Sequence, residues 1–106
     1  MKEIDAPTGY IDTSIALYQS YEATDMNSSI DFLNKVIISE DDFQWLNDII
    51  TIAKAYIYNR YNETELENEH INSFLKNQPT LLEPEHLISF GLLHYQETIK
   101  NKANFI

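Results

Sequence analysis

A chain of 106 residues with 17 acidic and 7 basic side chains, a formal charge of -10 and no cysteine is one domain's worth of sequence. The charge argues against a phosphate-binding surface, because nucleic-acid contacts are made largely by lysine and arginine. The missing cysteine removes disulfide frameworks and thiolate zinc sites.

Residues 1–10 include Pro7 and Gly9 and show no periodicity, so they read as an irregular arm without the apolar core of a signal segment. No run approaches the ~20 apolar residues of a membrane span. The expectation is a soluble chain that neither enters a membrane nor reads a nucleic-acid sequence. From Asp12 or Thr13 a short helix is expected, with Ile11, Ile15 and Tyr18 on its inner side, joined by Leu17 and Tyr21. Ser28, with Asp31 three residues on, reads as the cap of a second short helix that ends at Ile37 or Ile38 and turns a tight corner.

The strongest pattern runs from Ser39 to Asn59. Ser39 is a good cap, and Glu40, Asp41 and Asp42 put negative charge on the first turn, where the helix dipole favours it. At 100° per residue, Phe43, Leu46, Ile50, Ala53 and Ile57 form one apolar arc. Trp45, Ile49, Ile52 and Tyr56 form a second beside it. Together they exceed the ~100° stripe that a single contact requires. Such a helix meets either two sides of its own core or its own core and another chain.

Asn62 is expected to cap a further helix bearing Leu66, Ile71, Phe74 and Leu75, stopped by Asn77 and Pro79. Glu63 with Glu67, and Glu65 with Glu69, are like-charge pairs at four-residue spacing, each costing about 0.2 to 0.5 kcal/mol, so this acidic side should face water or a basic partner. Residues 79–84 read as a connection. Pro84 suits the first position of a last helix whose inner side carries Leu87, Ile88, Gly91, Leu92, Tyr95 and Ile99, with Phe90 and Leu93 off the stripe. Residues 101–106 form a second arm, polar until Phe105 and Ile106. No strand signature or repeat occurs, and the expected fold is all-α, a small bundle of four to five helices with a long central helix.

Chemistry-bearing patterns are sparse. His86 and His94 lie eight residues apart, too far to chelate one ion from a single helix, and His70 follows an acidic run as a surface residue would. There is no HExxH, glycine-rich phosphate loop or GxSxG. The reading is of a protein that is not an enzyme and holds no cofactor or metal.

Two segments carry a family resemblance. One is Glu40, Asp41 and Asp42 before a helix with Leu46, Ile49, Ile50, Ala53, Tyr56 and Ile57; the other is Leu92, Leu93, His94, Tyr95 and Glu97. The chain resembles the phage head-tail connectors, small helical adaptors of tailed bacteriophages. Where that family often has a glycine after its long helix, this chain has Arg60, Tyr61 and Asn62. The resemblance implies a homo-oligomeric ring in the virion, assembled in the host cytoplasm between the portal protein and a stopper or tail-completion protein, with DNA passing through. On this reading Trp45, Ile52, Tyr56, Phe90, Leu93, Phe105 and Ile106 are the interface candidates, and acidic residues line a channel to which DNA does not adhere. The competing reading is a small acidic inhibitor, either an immunity protein or a DNA mimic, that blocks a basic partner through Glu63, Glu65, Glu67 and Glu69.

Overall fold

The computed structural model describes residues 8–76 and 84–103. They form an all-α fold of six α-helices: α1 (Gly9–Glu22), α2 (Met26–Asn34), α3 (Trp45–Arg60), α4 (Thr64–Lys76), α5 (Pro84–Ser89) and α6 (Gln96–Ala103), with a 3-10 turn at Leu93–Tyr95 before α6. None is long and apolar enough to cross a membrane. The expected connection at residues 79–83, the stop at Asn77 and Pro79, and the apolar ends Phe105 and Ile106 lie outside the described residues.

The long helix is α3, and it occupies the centre. It packs against α1, α2 and α4. Leu46, Ile50, Ala53 and Ile57 of one arc are buried, and so are Ile49 and Ile52 of the other. Both arcs therefore serve this chain's own core, and the width of the apolar side reflects two internal contacts. Full burial of each Leu or Ile contributes about 1.5 to 3 kcal/mol, which makes α3 the main source of hydrophobic stabilisation.

Its start differs from expectation. The helix begins at Trp45, and Ser39 instead opens a separate turn in which the Asp42 amide donates to the Ser39 carbonyl at 3.1 Å. The Asp42 carboxylate does accept from the Ser39 amide at 2.8 Å, as a capping box requires, but its other oxygen accepts from the Gly9 amide at 2.8 Å. The acidic step thus ties the N-terminus of α1 to the connection before α3. These bonds hold the Asp42 carboxyl below the usual carboxylate range, the Ser39 amide foremost and the Gly9 amide next.

The other boundaries shift for comparable reasons. Asp25, not Ser28, caps α2, accepting from the Ser28 amide at 2.8 Å. That helix ends at Asn34, so residues 35–44 form an extended connection where a tight corner was expected. At the end of α3, Asn62 adopts a left-handed φ of 61° and does not cap α4. The Glu63 amide donates to the Tyr58 carbonyl at 2.9 Å and the Asn62 amide to Asn59 at 3.1 Å, a left-handed stop that satisfies the last carbonyls. Asn62 occupies the place that glycine takes most readily.

Gly91 does the same after α5. With φ at 70°, it lets the Leu92 amide reach the Leu87 carbonyl at 2.8 Å and divides the expected single last helix into α5, the 3-10 turn and α6. Leu87, Phe90, Leu92, Tyr95 and Ile99 are buried, whereas Ile88, expected inside, is exposed. Residues 101–103, expected in a C-terminal arm, belong to α6.

Candidate functional site

The largest departure from the sequence reading lies on α1. The helix starts at Gly9, and its inward residues are Gly9, Thr13, Ala16, Leu17 and Ser20. Ile11, Ile15 and Tyr18, expected inside, are 60%, 52% and 65% exposed. The reason is proximity. Small side chains let α1 approach α2 and α3 closely, and the buried Ser29 of α2 donates to the Ser20 carbonyl at 2.8 Å across that contact. A bulky Ile or Tyr stripe in the same place would hold the helices apart.

Both ends of α1 are fastened, which fixes its rotation. At the N-terminus, the Gly9 amide is held by Asp42, and a methyl group added to Gly9 would come within 2.5 Å of that carboxylate. Near the C-terminus the Tyr21 hydroxyl donates to the Phe90 carbonyl at 2.7 Å, and Arg60 donates to the Tyr21 carbonyl at 3.4 Å. Burial, reinforced by the neighbouring Tyr56, raises the Tyr21 phenol well above its ordinary value, keeping it a donor. With the inward side set, Ile11, Ile15 and Tyr18 face outward as a ridge at i, i+4 and i+7.

Beside this ridge is a groove of about 240 Å³ between α1 and the end of α2, with Ile15, Phe32, Val36 and Ile37 among its lining. Ile37 is 81% exposed. Asp12 and Lys35 also line the groove, and the Lys35 ammonium sits 5.5 Å from the centre of the Phe32 ring. An aromatic stack lies near the start of α3. Phe43 is exposed and stacks on Trp45 with ring centres 5.7 Å apart, Trp45 stacks on His86 at 3.7 Å, and the exposed Ile88 follows on α5.

The residues expected at an interface are divided among different environments. Ile52 and Phe90 are core residues, which removes them from any surface. Trp45 and Tyr56 are half-buried against the core, Tyr56 packing on Tyr21 and Tyr95. Leu93 is exposed. Tyr10, Ile11, Ile15, Tyr18, Ile37, Phe43 and Ile88 are the surface apolar residues, among those described, that the sequence reading placed inside or did not single out. The stripe of Gly9, Thr13, Ala16 and Ser20 was the available signal, because helical spacing of small residues marks a close-packed face.

Of the four acidic candidates, Glu63, Glu65 and Glu69 are exposed. Glu67 is 2% exposed and belongs to a buried network: the Tyr95 hydroxyl and the Asn59 amide, the latter at 3.1 Å, both donate to its Oε2. It joins α3, α4 and the turn before α6. Burial, with the hydrogen bond to Glu67 second, raises the Tyr95 phenol well above its ordinary value. The acidic side of α4 is consequently narrower than its spacing implied.

The histidines have structural settings. His86 stacks on Trp45, His94 meets Tyr56 edge-on at 4.9 Å, and His70 Nδ1 lies 2.8 Å from the Leu66 carbonyl. Among the described residues no group of three or more His, Asp or Glu side chains is placed to hold a metal ion. A polar groove between α3 and α4 is lined by Thr51, Lys54, Glu69, His70 and Ser73, and partial burial lowers the Lys54 ammonium below its ordinary value. No protein-family model, curated protein or solved structure matches this chain.

Proposed function

We propose that the protein is a structural adaptor that binds other proteins, and that its setting is the head-tail junction of a tailed bacteriophage, where it joins a ring between portal and stopper or tail-completion protein. The observation that carries the adaptor reading is the exposure of many large apolar side chains on one small fold: Ile11, Ile15 and Tyr18 along α1, Ile37 in the groove beside them, and Phe43 and Ile88 on other elements. Contiguous exposed apolar surface marks interaction sites, and bridging two partners, or making head-to-tail contacts, takes two different surfaces. The connector setting rests on the resemblance carried by residues 40–57 and 92–97. The width of the central helix's apolar side, being internally satisfied, adds nothing to the adaptor reading.

The test is light scattering of the purified chain, followed by cross-linking with a portal protein. The expected outcome is entry into a portal-bound oligomer. A strict monomer that never joins a portal and instead binds a nuclease tightly would favour an inhibitor acting through the exposed Glu63, Glu65 and Glu69, and would end the connector reading.

A further inference from the structure

We infer that the α1 ridge and its groove form a docking site for an amphipathic helix with basic flanks on another protein, and that a second copy of this chain is not its occupant. This deepens the adaptor reading and rests on it. Ile11, Ile15 and Tyr18 repeat at the spacing by which one helix lies along another. The groove lined by Ile15, Phe32, Val36 and Ile37 provides the neighbouring recess.

Charge selects the occupant. Asp12 lines the groove, and Glu22 and Asp31 are exposed on the two helices that form it. Glu40 and Asp41 are exposed in the connection whose Asp42 holds the N-terminus of α1. Among the described residues, Lys35 is the one basic side chain lining the groove. A second copy would bring another charge of -10 to a face whose two helices expose Asp12, Glu22 and Asp31. Lysine or arginine flanking an apolar stripe would instead find opposite charges around an apolar centre, which favours encounter and register. In the connector setting, the face is thereby assigned to a different protein in the stack and not to a ring neighbour.

The probe is a synthetic leucine–lysine amphipathic helix of about four turns, compared with its leucine–glutamate counterpart by titration and amide chemical shifts. The lysine peptide is expected to shift resonances of α1 and residues 32–37, and to bind more weakly as salt rises. Ile15→Asp should weaken binding by more than about tenfold, Asp31→Lys should weaken it less, and Phe43→Ser, outside the face, should leave it unchanged. Circular dichroism checks that each variant is folded. Absence of binding, equal binding of the glutamate peptide, or undiminished binding by folded Ile15→Asp would overturn the inference. Self-association abolished by Ile15→Asp would overturn it too, by naming a second copy as occupant, yet leave the adaptor reading standing. Failure to join a portal with peptide binding intact would remove only the connector setting.

Discussion

Helices α1 and α3 both carry more apolar residues than one contact requires, yet the fold treats them oppositely. In α3 both arcs contribute to the core, the helix contacts α1, α2 and α4, and nearly all of the apolar side is inside. In α1 the bulkier stripe is outside and the smaller one inside. Hydrophobicity alone does not rank these outcomes, because what is buried is a packed pair of surfaces. A central helix has neighbours on two sides. A peripheral helix has them on one, and close approach then favours small side chains over large ones.

The sharpest way to break this comparison is to truncate an isoleucine on each helix. Ile57→Ala on α3 is expected to cost about 2 to 5 kcal/mol, the range for core Ile truncations, whereas Ile15→Ala on α1 should remain within about 0.5 kcal/mol. Urea unfolding followed by circular dichroism measures both. Equal losses would mean that α1 is buried in solution and that its ridge is core.

A smaller effect separates the buried network on the α3–α4 side from the α1 face. Tyr95→Phe leaves Glu67 without its hydroxyl donor and should cost about 1.5 to 3 kcal/mol, the range for hydrogen bonds to charged groups. Its pH dependence carries a definite sign. The folded phenol is raised, so its contribution is complete below the ordinary tyrosine value near ~10 and is lost as pH rises through that value toward the folded one. The wild type should thus lose stability more steeply than Tyr95→Phe in alkaline solution. Parallel profiles would show that this hydroxyl is not held in the folded state as described.

The smallest effect concerns the fastening of α1. Asp42 is held below the ordinary carboxylate range, so its contribution is complete above that range and is lost as pH falls through the depressed folded value. Asp42→Asn should therefore be less stable than the wild type at neutral pH, with the difference closing in acid. It should also loosen α1, seen as faster amide exchange at its N-terminal turn. A constant difference across pH would assign the loss to packing instead of charge.

Local signals were legible where a residue's own chemistry decides the conformation. The central helix, its acidic approach and the helical class follow from spacing and caps read within a few residues. Element ends were less legible because one residue can serve several arrangements. Asp42 completes the expected bond to Ser39 and also holds a distant Gly9, which draws it away from the helix start. Asn62 looks like a cap for the next helix and acts as a stop for the preceding one. Glu67 shares its spacing with the exposed acids of α4, and only the approach of Tyr95 and Asn59 puts it inside.

An acidic, cysteine-free, helical chain built on a doubly apolar central helix was specified by residue order, since composition and 3.6-residue periodicity act locally. The choice of which apolar stripes became core and which became surface belonged to the tertiary arrangement. That choice depends on how closely helices approach, and approach is set jointly by small residues, hydrogen bonds and neighbours far apart along the chain. For α1 these joint constraints turned the stripe of higher hydrophobicity outward, and with it created the surface on which the proposed function depends.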